Sequence, residues 1–179
     1  VYDLSCTAIS WDHVDEENLK KPQKWSASGI SQFMLWMGPV SSIFDIITYF
    51  VMYFIICPMM FDGLLYTQIS NPMTKSLYIA LFQTGWFIES MWSQTLVIHM
   101  IRTAKIPFVQ SCASVSLSIM SFIAIFAITL MPFTPIASAL ELSVLPVEYF
   151  GMLAMIIFGY IILTTLIKKI YIQKFGKLL

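Results

Sequence analysis

The chain has 179 residues, of which 58% are hydrophobic and 11% are charged, and its formal net charge is zero. A soluble domain carries about 25% charged residues, so this composition, with a mean hydropathy of +0.79, predicts a membrane-embedded protein. The zero net charge gives no support for nucleic-acid binding. The three cysteines contain no C-x-x-C pair, which argues against a zinc site or a redox dithiol.

Four apolar stretches follow a polar leader at residues 1–32. A helix that crosses a bilayer needs about 20 mostly apolar residues. Turn-forming dipeptides such as Cys57-Pro58 and Asn71-Pro72 separate the stretches. The fold class that we predict is therefore an all-α membrane protein with four transmembrane helices, at residues 33–57, 81–101, 112–131 and 147–167.

The basic residues predict how these spans are oriented. They precede the first span, lie between the second and third, and follow the fourth: Lys20, Lys21, Lys24, Arg102, Lys105, Lys168, Lys169, Lys174 and Lys177. Only Lys75 belongs to the loops on the opposite side. By the positive-inside rule, both termini and the loop at 102–108 are expected in the cytoplasm.

Two carboxylates lie near the middle of the first two spans, Asp45 in one and Glu89 in the other. A charged group at that depth costs several kcal/mol unless it is protonated, paired or bound to a cation. Glu89 is therefore a candidate metal ligand or outer-shell group. Other hard oxygen donors, of the kind that Mg²⁺, Ca²⁺ and Na⁺ prefer, share these two helices as supporting polar groups: Asp45, Gln83, Ser90, Ser93 and Gln94.

A structural interpretation stays open for the same residues. A protonated Glu89 would hold two helices together by hydrogen bonds, and packing explains Asp45 better than direct ligation does. His99 is expected to be a polar anchor near the cytoplasmic end of its span. The fourth span is almost wholly apolar after Glu148 and is expected to be an outer, lipid-facing helix.

Several runs resemble magnesium-transporting P-type ATPases over essentially the whole chain. Residues 33–45 resemble the seventh transmembrane helix of that family, and residues 81–108 resemble the eighth. The leader is similar to the cytoplasmic loop after helix six, and Tyr171–Gly176 is similar to the family's tail. Tyr2, Asp3, Trp11, Asp12, Asp15, Pro22 and Trp25 carry the similarity of the leader.

The resemblance implies that residues 33–179 are the C-terminal membrane domain, helices seven to ten, of a ten-helix pump in the plasma (inner) membrane. It implies Mg²⁺ as the transported ion, a phosphoaspartate mechanism, and ATP bound by upstream domains that this chain lacks. The implied partners are the lipid bilayer, upstream helices one to six and the pump's cytoplasmic domains. Glu89 matches the acidic eighth-helix position that supplies an ion ligand in calcium pumps, whereas the resemblance assigns no role to Asp45.

Three alternatives remain at this point. The chain could belong to a P-type pump for calcium, sodium or protons. It could be a free-standing four-helix channel or a regulatory subunit. It could also be a scaffold that supports the transport helices, in which Asp45 and Glu89 only make structural hydrogen bonds.

Overall fold

The computed structural model describes residues 6–12, 27–108 and 110–176, and all the regular elements found there are helical. The four long helices are α1 (Ala27–Val51), α2 (Pro72–Ile101), α3 (Val115–Leu130) and α4 (Val147–Phe175). The predicted all-α class is confirmed. Most of the predicted leader, together with Lys177, lies outside the described residues, and a short 3₁₀ helix at Ala8–Trp11 is described within it.

Three helical stretches are long and apolar enough to cross a membrane: Ser28–Met60, Val115–Phe133 and Val147–Phe175. They correspond to the first, third and fourth predicted spans. Helix α2 covers the second predicted span but is not among the three, and it carries Glu89 and several other polar residues along its length. The four-helix arrangement is thus present, while the number of spans stays a prediction.

The first long helix does not end at the Cys57-Pro58 dipeptide, which the sequence suggested as a break. After α1 the chain continues through a π-helical turn at Met52–Ile56 and a last helical turn at Cys57–Met60. Pro58 stands at the start of that last turn, where a missing backbone N–H costs little. The chain reverses only after it, at Asp62 and Gly63, which both adopt positive φ angles.

The other helix ends follow their capping chemistry. The Asn71 side chain accepts a hydrogen bond from the Met73 N–H at 2.9 Å, and Pro72 occupies the first helical position. Helix α2 therefore starts well before residue 81. At the other end of the chain, Gly176 stops α4 with a left-handed φ of 77°.

Helix α1 runs antiparallel to α2, because Tyr49 contacts Phe82 while the earlier Asp45 contacts Trp86. It also runs antiparallel to α4, because Phe33 contacts Tyr171 while Phe44 contacts Tyr160. Helix α3 packs against α2, where the Trp92 Nε1–H donates to the Thr129 hydroxyl at 3.0 Å. Helix α4 contacts both α1 and α2. Most of α4 is at least partly exposed, as expected for an outer helix, while one face packs against the bundle.

The outer surface of the bundle is strongly apolar. Large side chains such as Leu35, Phe122, Phe126 and Phe158 are exposed, while the core between α1, α2 and α4 includes Ile88. Exposed apolar side chains on this scale exceed what a soluble monomer presents to water. The arrangement suits a bilayer, in which the outer faces of the helices contact lipid.

Candidate functional site

The side chain of Glu89 is completely buried, at 0% exposure, in the interior formed by α1, α2 and α4. Neither of its carboxylate oxygens has a hydrogen-bond partner among the described residues. Asp45 and Thr48 of α1 are its polar neighbours, and Tyr149 and Tyr160 of α4 interact with it electrostatically. A buried carboxyl group without a partner is costly, so the site favours an additional proton, water or cation.

Three more buried polar side chains near Glu89 also lack a hydrogen-bond partner within the described part of the chain: Thr48, Tyr160 and Thr164. We call these three residues and Glu89 the central polar cluster. Its members come from α1, α2 and α4, and each is at most 3% exposed. Polar groups that are buried this deeply are normally hydrogen-bonded. Within the cluster, Thr48 faces Glu89 and Thr164 faces Tyr160.

The wall beside the cluster is tightly built. The Tyr149 hydroxyl of α4 donates to the Gly85 carbonyl of α2 at 2.6 Å, one helical turn before Glu89. Gly85 also lies against the Met52 side chain, and a Cβ atom at this position would fall on the end of that side chain. An alanine here would therefore force the flexible Met52 side chain to shift.

Asp45 and Glu89, the two carboxylates singled out in the sequence, face each other across α1 and α2. Asp45 is half-buried on the facing side of α1, and its Oδ1 accepts a hydrogen bond from Trp86 Nε1–H at 3.2 Å. The Asp45 carboxylate interacts electrostatically with Glu89. One carboxylate is thus hydrogen-bonded near the surface of the bundle and the other lies inside it without a partner.

The four predicted supporting groups on α2 do not converge on Glu89. The Ser93 hydroxyl is buried but donates to the Ser90 carbonyl of its own helix at 3.0 Å. The Gln94 Nε2 donates to the Ser90 hydroxyl at 3.2 Å, and both Gln83 and Gln94 are exposed. A polar stripe lies on the side of α2 next to the face that carries Glu89, and it is at least partly exposed. It consists of Gln83, Ser90 and Gln94.

No group of three or more His, Cys, Asp or Glu side chains able to hold a metal ion occurs in residues 6–12, 27–108 and 110–176. Asp45 and Glu89 are two carboxylates, and a Mg²⁺ ion takes six oxygen ligands, counting its waters. These two carboxylates alone are too few to fill that coordination sphere.

Helix α4 contributes polar groups that the sequence analysis did not select. Tyr160, Thr164 and Lys168 recur at four-residue spacing, which places them on one helical face, and all three are buried. That spacing within an apolar segment was the available signal. His99 is also buried, and its Nε2 lies 2.9 Å from the Ser121 hydroxyl of α3, so it joins two helices inside the bundle.

The end of the bundle where α2 stops carries a second polar group of residues. Asp12 Oδ2 accepts from Arg102 Nε at 2.6 Å, and Asp12 Oδ1 accepts from the backbone N–H of Ser114 at 2.7 Å. Arg102 also donates to the Ser111 hydroxyl at 3.2 Å. Because Ser114 is the N-cap of α3, Asp12 ties the leader to the turn between α2 and α3.

A helical bundle with an apolar exterior and a buried, unpartnered carboxyl group defines a multi-pass membrane protein with a polar site inside the bundle. Comparison with known proteins gives the family. The family model described as "Cation transporting ATPase, C-terminus" matches residues 1–170, and the chain belongs to this family.

Three curated relatives carry the name "Magnesium-transporting ATPase, P-type 1". The protein of Escherichia coli (strain K12) is 42% identical over 176 residues. Two proteins of Salmonella typhimurium (strain LT2) are 40% identical over 176 residues and 39% identical over 177 residues. The matches cover 98–99% of this chain but 18% of each relative. The resemblance to magnesium-transporting P-type ATPases is confirmed.

Proposed function

We propose that this chain is the C-terminal membrane domain of an ATP-driven magnesium importer. The observation that carries the proposal is the 42% identity, over 98% of the chain, to a magnesium-transporting ATPase. The match to the C-terminal region of cation-transporting ATPases supports the same assignment. Neither finding favours a free-standing channel or a regulatory subunit. ATP binding and phosphorylation belong to upstream domains, so the fragment by itself is expected to be inactive.

The proposed arrangement in the bilayer has four spans and cytoplasmic termini. The basic residues at the ends of α2 and α4 support this orientation. Cys112 offers a direct test because it is exposed in the turn between α2 and α3, whereas Cys57 is buried. A membrane-impermeant maleimide should label Cys112 in inverted inner-membrane vesicles and not in intact spheroplasts. Labelling only in spheroplasts would reverse the orientation.

Within this pump, Glu89 is proposed to contribute to the magnesium path as a partial or outer-shell ligand. Its complete burial and its two unpartnered oxygens support this role. Mg²⁺ gives up its water reluctantly, so a carboxylate is expected to meet a partly hydrated ion. Asp45 is proposed to support Glu89 electrostatically. The open stripe of Gln83, Ser90 and Gln94 is proposed to face upstream helices of the same pump.

The test is Glu89→Gln in the full-length pump, with Glu148→Gln as the matched control because Glu148 is exposed at the start of α4. ATP itself needs Mg²⁺, so ATPase activity alone would mix two requirements. Transport is therefore followed with a magnesium-sensitive dye inside proteoliposomes. An importer moves Mg²⁺ toward its ATP-binding side, so added ATP should lower the luminal Mg²⁺ concentration.

Loss of one charge-assisted ligand contact, about 1.5–3 kcal/mol, should raise the half-saturating luminal Mg²⁺ concentration by about tenfold or more in Glu89→Gln. Glu148→Gln should transport like the wild type. Unchanged Mg²⁺ dependence in Glu89→Gln would remove the ligand role. If Ca²⁺, Na⁺ or a proton gradient replaced Mg²⁺ as the transported species, the magnesium assignment itself would fall.

A further inference from the structure

Lys168 is a buried cation outside the candidate magnesium site. Its side chain is 2% exposed, and its Nζ donates to three backbone carbonyl oxygens: Met100 at 3.0 Å, Thr103 at 3.1 Å and Lys105 at 2.8 Å. An ammonium group has three N–H donors and no acceptor, so three carbonyls use all of its protons. A neutral amine would direct its lone pair at one of these oxygens. Three converging acceptors therefore favour the ammonium form.

The carbonyls come from the place where α2 ends. The last carbonyls of a helix lack partners within the helix, and the helix dipole makes that end negative. Helix α2 ends at Ile101, so the Met100 carbonyl is one of these groups, and the other two belong to the turn that follows. Among the described residues, the salt bridge joins Arg102 to Asp12 and does not involve Lys168. The Lys168 ammonium instead contacts carbonyl dipoles.

Three converging carbonyl oxygens are also a natural site for a small monovalent cation, because carbonyl oxygens can replace its hydration shell. We propose that the carbonyls of Met100, Thr103 and Lys105 form a cation-binding cage that the tethered ammonium of Lys168 occupies. Removal of the side chain converts the cage into a binding site for a free alkylammonium ion. In the intact protein, the tethered cation locks the end of α2 to α4.

This proposal does not rest on magnesium transport, because it concerns the stability of one end of the bundle. Its rival is simple packing, in which the aliphatic stem of Lys168 fills space and the charge is incidental. Lys168→Met separates the two, since methionine keeps much of the volume but donates no hydrogen bond. Lys169→Ala is the matched control, because Lys169 is the adjacent residue of the same helix and is exposed.

The experiment measures thermal unfolding of the full-length protein in detergent, at constant ionic strength, with n-propylammonium as the probe and tetramethylammonium as the size control. Lys168→Ala should melt below the wild type, since three carbonyls lose their partner. Propylammonium should restore about half of that loss in a saturable manner, as expected for a ligand of the native state. Tetramethylammonium, which has no N–H donor, should restore nothing.

Lys168→Met decides the case if Lys168→Ala cannot be purified. The proposal expects this variant to melt below the wild type and to gain nothing from propylammonium, because the methionine side chain fills the entry. Wild-type stability in Lys168→Met would overturn the proposal in favour of packing. Failure of propylammonium to stabilise a folded Lys168→Ala protein, or equal stabilisation of Lys169→Ala, would overturn it as well.

Discussion

Asp12 provides the sharpest test of how the leader is attached to the bundle. Its carboxylate accepts from the Arg102 side chain at 2.6 Å and from the Ser114 N–H at 2.7 Å. The Asp12 and Arg102 side chains are only 11% and 10% exposed, so solvent screens this pair weakly. Asp12→Asn keeps an oxygen for Ser114 but removes the charge that Arg102 needs. Asp12→Ala removes both contacts.

A hydrogen bond to a charged group contributes about 1.5–3 kcal/mol. We therefore expect Asp12→Asn to make local opening of the α2–α3 turn easier by about 2 kcal/mol, which is roughly a 30-fold larger open population. Asp12→Ala loses the second bond too and should cost about 3–4 kcal/mol, which is a factor of several hundred.

The turn contains its own reporter, because trypsin cleaves after Arg102 and Lys105. When opening is fast relative to cleavage, the cleavage rate follows the open population. Mass spectrometry of the full-length protein under limited trypsin digestion should therefore show cleavage in the order Asp12→Ala, then Asp12→Asn, then wild type. Asp62→Asn is the matched control, since Asp62 is exposed in a different turn. If Asp12→Asn and Asp62→Asn were cleaved in this turn at the same rate, the attachment argument would be refuted.

Three other substitutions probe the wall and the edge of the central polar cluster. Tyr149→Phe removes the donor to the Gly85 carbonyl and should cost about 1 kcal/mol of stability; an unchanged thermal midpoint in detergent would contradict this. Gly85→Ala forces Met52 to move and should cost about 1–3 kcal/mol, and Met52→Ala in the same protein should recover part of the loss in the same assay. Asp45→Asn keeps the acceptor for Trp86. It should change Mg²⁺ transport, measured with the luminal dye, less than Glu89→Gln does. An equal or larger change would make Asp45 a ligand in its own right.

The helices could be predicted because the bilayer imposes simple demands on a sequence. A spanning segment must be apolar over about 20 residues and must satisfy its backbone internally, so long apolar runs indicate helices directly. Capping residues such as Asn71 and Gly176 mark where helices begin and end. Pro58 misled the prediction, because a proline in the first turn of a helical segment is tolerated after a π-helical turn.

The contacts across the bundle could not be predicted in the same way. The four-residue spacing of Tyr160, Thr164 and Lys168 shows which residues share a face of α4, but not what that face meets. The partners of Lys168 are backbone carbonyls more than sixty positions away, as Met100 and Lys105 illustrate. Every residue has a carbonyl, so residue types carry no information about which carbonyls will converge.

The distribution of polar groups on α1 and α2 indicates what covers this face of the bundle. Asp45 and Trp86 are hydrogen-bonded at the edge of the bundle, and Gln83 and Gln94 are exposed beside them. An open groove of about 540 Å³ continues this face between the two helices and is lined mainly by aromatic side chains such as Tyr49. Lipid does not solvate such groups. The polar side of α1 and α2 therefore calls for protein or water against it, whereas the apolar outer face of α3 does not. Glu89 lies behind the polar side, so under the proposed function the ligands that complete the magnesium site would come from whatever covers that side.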